Sequence, residues 1–154
     1  MYFKGDIIIT DPCYIMRAEH HGTTPITEDD WDACGYGSNM EALGIHTYLC
    51  RDTLYGDWSC GTYEKGTSEK LGDFCADAGL VAVFLLDEVL AYNPDFDYHL
   101  NRPWTTTLIK DFDGDIKIEV VNFSHEDNHG AHESQEVRVI GEGNINFFTT
   151  QTGF

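Results

Sequence analysis

From Thr105 to Val121 the chain alternates in a way that leaves little room for anything but strand. Ile116, Ile118 and Val120 alternate with Asp115, Lys117 and Glu119. That period of two gives a strand one buried and one wetted face. The preceding run, Thr105 to Phe112, is equally rich in strand formers. Asp113-Gly114 stands between them, and Asp-Gly between two such runs predicts a two-residue hairpin turn of type I′.

The rest of the chain follows the same pattern. Leu80 to Leu86 is apolar on both faces and predicts a central strand. Ile7 to Thr10 predicts another. A second hairpin is expected at Ile45 to Tyr63, turning through Leu54–Asp57. A third is expected from Glu136 to Thr150, turning at Gly141-Glu142-Gly143. Helical signals are short. Thr27 caps Glu28-Asp29-Asp30-Trp31, Asn39 to Gly44 gives about a turn, and Asp87 to Tyr92 is stopped by Asn93-Pro94. The expectation is a single domain over residues 1–154, mainly β. It would be a sandwich or curled barrel of about eight or nine strands with two or three short helices.

Composition narrows the function. Against 27 Asp+Glu there are 9 Lys+Arg, a formal net charge of −18. Nine cations spread along the chain make no phosphate-neutralising footprint, so direct nucleic-acid binding is not expected. Aromatic residues are 13% of the chain, enough to build a core and to exclude disorder. The first apolar run is Ile7-Ile8-Ile9 and no stretch approaches the roughly 20 residues of a membrane span. A cytoplasmic protein with no membrane association is expected. Cys13, Cys34, Cys50, Cys60 and Cys75 are odd in number and lack C-x-x-C spacing. Most of them read as small buried hydrophobes, with no disulfide framework and no zinc knuckle.

Two segments carry a resemblance. Asp6-Ile7-Ile8-Ile9-Thr10-Asp11-Pro12-Cys13-Tyr14 resembles the Asp-Pro-Cys-Tyr opening of uncharacterised small bacterial and phage proteins. Asp77-Ala78-Gly79-Leu80 resembles the Asp-Ala-Gly segment that accompanies it. The resemblance implies a phage or mobile-element origin and carries no activity or catalytic residues. Asp11, Cys13, Tyr14 and Asp77 are accordingly a candidate cleft at strand ends.

Other constellations are weaker. Cys13 as a nucleophile would need an imidazole in contact, with His20 and His21 near only in sequence. His125, His129 and His132, among Glu126, Asp127 and Glu133, have metal-ligand chemistry. They fall in a polar segment, 125–133, that reads as a loop. Asp111-Phe112-Asp113-Gly114-Asp115 lacks the EF-hand's glycine and glutamate positions. No phosphate-binding glycine loop is present.

The acidic clusters remain. Glu28, Asp29, Asp30 and Asp32, with Asp95 and Asp97, are the expected binding face for a basic protein partner. Carboxylates spaced on a rigid frame imitate a row of phosphates. The resulting reading is a non-enzymatic acidic binding protein without cofactor, an inhibitor of a basic, nucleic-acid-handling host protein if phage-borne. The alternatives are a small metal-dependent hydrolase using the three histidines, and a binder of nucleotide or sugar among Trp31, Trp58, Trp104 and the tyrosines.

Overall fold

The computed structural model describes residues 1–16, 40–53, 58–77, 79–102 and 104–152. Eight antiparallel strands form one sheet: β1 (Tyr2–Thr10), β2 (Tyr48–Asp52), β3 (Trp58–Glu64), β4 (Lys70–Ala76), β5 (Leu80–Leu85), β6 (Thr106–Asp127), β7 (Gly130–Gly143) and β8 (Phe147–Thr152). Their spatial order is β2-β5-β1-β6-β7-β8-β3-β4. Two short helices, α1 (Leu86–Tyr92) and α2 (Asp97–Leu100), follow β5. The protein is therefore mainly β, as the alternation predicts. None of its described helices is long and apolar enough to cross a membrane.

The sheet curls without closing. The Cys75 amide in β4 donates to the Thr105 carbonyl at 3.5 Å, and the Thr62 and Thr107 hydroxyls meet at 3.1 Å across the interior. The inner face packs Phe3, Ile7, Ile9, Trp58, Phe74, Val81, Val83, Phe112, Val139 and Phe147 into one core. On the outer face of β1 and β5, Ile8, Ala82 and Phe84 form a second core with Val89 and Tyr92 of α1 and with Phe96. β1 and β5 are thus covered on both sides, which is why their sequences run apolar without alternation. Helix α1 stops where expected: Asn93 turns the chain, and its side-chain amide donates to the Ile15 and Met16 carbonyls at 3.0 and 3.1 Å.

The Asp113-Gly114 turn does not exist. β6 runs unbroken through it, with Gly114 facing Phe3 on one side and Gly143 on the other. Gly114 has no positive φ; it is needed because a Cβ there would lie 2.3 Å from the Glu142 carbonyl oxygen. What lets β6 bend is a bulge. Lys110 and Asp111 both face solvent between the buried Ile109 and Phe112. Asp111 has φ 53°, and Gly5 on the facing strand has φ 130°. The Asp111 amide, displaced from the ladder, donates to the Asp6 carboxylate at 2.9 Å.

Three further expectations change. The real hairpin turn is at Asn128-His129, so residues 125–133 are mostly strand and not a loop. β2 and β3 do not pair; β2 joins β5, while β3 joins β4 and β8. The third hairpin forms, but its turn is Asn144-Ile145-Asn146, after the glycines. The one-turn element at Met40–Leu43 is present. The expected helix at Thr27–Trp31 lies outside the described residues.

Candidate functional site

The two boxes that carry the resemblance meet in space. β1 ends at Thr10, and Pro12–Tyr14 form a single 3₁₀ turn. Pro12 starts that turn because its φ is already set and its missing amide is not needed there. Asp11, fully buried, caps it: one carboxylate oxygen accepts the Cys13 amide at 2.9 Å. The other accepts the Leu80 amide at 3.3 Å, at the head of β5. The turn also presents Tyr14, whose hydroxyl donates to the Asp77 carboxylate. Asp11, Cys13, Tyr14 and Asp77 are therefore brought together. Gly79 completes the frame with φ 76°, and its carbonyl accepts from the Thr53 amide and hydroxyl at 2.8 and 2.6 Å.

The electrostatics of this corner are those of a structural core. Burial, then the bond to the Asp77 carboxylate, raises the Tyr14 phenol above its ordinary range. The Cys75 thiol is raised by burial and by the charges of Asp77 and Asp73. It donates to the Trp104 carbonyl at 2.9 Å. Burial also pushes Cys50 and Cys60 up to about 12. Thiols held protonated are poor nucleophiles. Cys50, Cys60 and Cys75 are thus held as thiols at neutral pH.

Above this corner lies a feature that sequence reading did not assemble. The His99 ring packs against Tyr14, Phe96 and Tyr98 at centroid distances of 5.1, 5.6 and 5.4 Å. Tyr98 and Trp104 then stand out at 55% and 53% exposure. Both take the Arg102 guanidinium on their faces, at 4.5 and 5.2 Å from the ring centroids. The chain holds them there through Thr105, whose hydroxyl donates to the Arg102 carbonyl at 3.1 Å. The signal available in the sequence was Tyr98-His99-Leu100-Asn101-Arg102, a helical i,i+4 spacing of an aromatic and a cation. Asp95 and Asp97, exposed, flank the patch. The other acids expected to bind, Glu28, Asp29, Asp30 and Asp32, lie outside the described residues, as does Trp31.

The histidines sit elsewhere, on the arm that β6 and β7 project beyond the rest of the sheet. His125 and His132 are cross-strand partners with rings stacked at 5.2 Å. His132 Nε2 lies 3.0 Å from the Asp127 carboxylate, which also accepts the His129 amide at 2.7 Å. Among the described residues, no three His, Cys, Asp or Glu side chains are placed to share a metal ion. Trp58 is core: it is 3% exposed, edge-on to Phe74, and its indole donates to Thr53 at 3.1 Å. No family model, curated protein or solved structure matches the chain.

Proposed function

We propose that this chain is a non-enzymatic acidic binding protein whose contact patch is Tyr98, Arg102 and Trp104, flanked by Asp95 and Asp97, and whose partner is a basic protein. The observation that carries the reading is the exposed aromatic–arginine–aromatic stack. Trp, Tyr and Arg are the residues that dominate binding energy at protein interfaces: Trp and Tyr bury a large area with few rotatable bonds and keep a polar handle, and Arg brings a planar, multiply donating guanidinium. Tyr98 and Trp104 each leave more than half their area exposed. The stack is already ordered by its own cation–π contacts, so little side-chain entropy is lost on docking. The formal charge of −18 supplies long-range attraction to a cationic surface. Inhibition of a basic, nucleic-acid-handling host protein is one form this binding role would take.

The two parts of the patch act differently, which makes the reading testable. A partner is captured from host extract and its kinetics measured with purified components. Trp104→Ala should speed dissociation by ten-fold or more, about the loss of one interface anchor. Asp95→Lys with Asp97→Lys should slow association, and the effect should shrink as salt rises. A partner whose two rates ignore both changes sinks the reading.

A further inference from the structure

We infer that the outer face of the sheet carries a saccharide-binding groove between β7 and β8, separate from the aromatic–arginine patch. The groove arises where strand pairing lapses. β7 and β8 are in register only at Ile140↔Phe148 and Gly141↔Phe147. One residue further, the Val139 amide donates to the Thr149 hydroxyl at 2.9 Å, not to a backbone carbonyl. From there the strands part, and a groove of about 710 Å³ opens between them. That volume lies within the roughly 300–1,000 Å³ of small-molecule sites.

Its floor is apolar, built on Ile140 and Phe148. Val139 and Phe147 point into the inner core, so Ile140 and Phe148 point outward. Phe148 stacks on Tyr63 of β3, centroids 6.2 Å apart and planes 29° from parallel. Tyr63, behind Phe148, lies back over Gly61, where a Cβ would come within 2.8 Å of its ring.

Its rim is polar and balanced. Lys65 and Arg138 supply donors, Glu136 and Glu142 supply acceptors, and Asn146 and Thr150 supply both. Arg138 and Glu136 hold each other through two bonds of 2.9 Å, which fixes both planar groups at the edge. That pairing uses two of the guanidinium's five N–H groups and leaves three.

This lining selects by charge and by shape. An anionic ligand would gain Lys65 and Arg138 but face Glu136 and Glu142, and a cationic one would gain the two carboxylates but face the two cations. A neutral ring carrying hydroxyls meets no such conflict. Each hydroxyl both donates and accepts, matching a rim of mixed donors and acceptors. The C–H face of a pyranose covers an aromatic floor. A neutral saccharide is the ligand class that satisfies floor and rim together.

The test is amide chemical-shift mapping of the intact protein with maltotriose, cellotriose, mannotriose, N-acetylchitotriose and lactose, and with benzoate and benzylammonium as charged-ring comparators. At least one saccharide should give saturable shifts centred on Gly141, Asn146, Phe148 and Thr150, with neither charged ring competing. Phe148→Ala should abolish them. Arg138→Gln, an exposed change whose fold is verified by the remaining spectrum, should weaken binding about fivefold. No saturable shift with any of these saccharides, shifts centred away from the groove, tighter binding of benzoate or benzylammonium, or full affinity in Arg138→Gln would each overturn the inference.

Discussion

Replacing Gly114 tests the central feature of the fold, because two readings of the same glycine make opposite predictions. In the sheet, an added Cβ would sit 2.3 Å from the Glu142 carbonyl oxygen and 2.6 Å from the Gly143 Cα. Ordinary contact begins near 3.4 Å, so β7 must move off β6 by about 1 Å. Overpacking of that kind costs about 1–3 kcal/mol. Stretching one or two ladder bonds adds about 1 kcal/mol each. Gly114→Ala should therefore cost about 2–5 kcal/mol, a fall in melting temperature of about 5–15 °C for a chain of this length. Gly66 provides the control. It has φ +85° and nothing within 4 Å of a Cβ, so Gly66→Ala meets only left-handed strain, about 1–2 kcal/mol. Gly114→Asn separates the readings most sharply. Asn is welcome in a tight turn because it tolerates positive φ, whereas in the strand its Cβ meets the same backbone as alanine's. Thermal and urea unfolding of the three variants decides the matter. Gly114→Asn within about 0.5 kcal/mol of the parent, or Gly66→Ala costing more than Gly114→Ala, would refute the strand argument.

Two further perturbations probe the frame of the candidate site. Asp11→Ala removes the acceptor from the Cys13 and Leu80 amides in a fully buried setting and should cost about 2–4 kcal/mol by urea unfolding; a loss below about 0.5 kcal/mol would mean the carboxylate does not hold the two boxes together. Stability should also fall as pH rises from about 9 to about 12, because Cys50 and Cys60 ionise near 9 when unfolded but only near 12 when folded. The folded-state pKa is raised, so the stabilisation is complete below 9 and is lost above it as the unfolded chain sheds protons first. Unfolding midpoints across that range check the sign, and double replacement of Cys50 and Cys60 by alanine should flatten the dependence.

The parts of this architecture that were legible in the sequence are those whose signal is periodic. Leu80 to Leu86 reads as a doubly covered strand because it is apolar on both faces, although Leu86 itself begins α1, and α1 reads as a helix because Asn93-Pro94 ends it. The Asp113-Gly114 error has a definite cause. A glycine is demanded both by positive φ and by close backbone approach, and only the facing strand tells the two apart. The facing residue here is another glycine, Gly143, 29 positions away. The arm at 125–133 was missed for a related reason. A hairpin that buries neither face needs no apolar alternation, so its polar sequence looks like a loop. The meeting of Tyr98 with Trp104 around Arg102 follows from connectivity that no local pattern encodes, and that of Tyr14 with Asp77 is expected only because the two boxes resemble segments that occur together.

The same connectivity changes how the acidic excess is understood. Several carboxylates are acceptors that the fold itself requires. Asp11 serves two amides, Glu88 takes the amides of His46 and Thr47 at 3.1 and 3.2 Å, and Asp6 takes the amide that the β6 bulge displaces. Asp127 serves the arm's turn, and Asp77 and Asp113 receive the hydroxyls of Tyr14 and Tyr2. A curled sheet with bulges and tight exits leaves N–H groups outside its ladders, and a carboxylate is the strongest acceptor available to them. Part of the net charge of −18 is thus a consequence of the topology. The carboxylates of Asp95 and Asp97 receive no such bond among the described residues, although the Asp97 backbone carbonyl accepts from Asn101. They sit beside the exposed aromatic patch. Neutralising Asp11 should therefore cost stability and leave any loss of binding attributable to unfolding. Neutralising Asp95 and Asp97 should leave the unfolding midpoint unchanged and act on association alone. If the second pair instead destabilises the fold as the first does, their place beside the patch has no bearing on a partner.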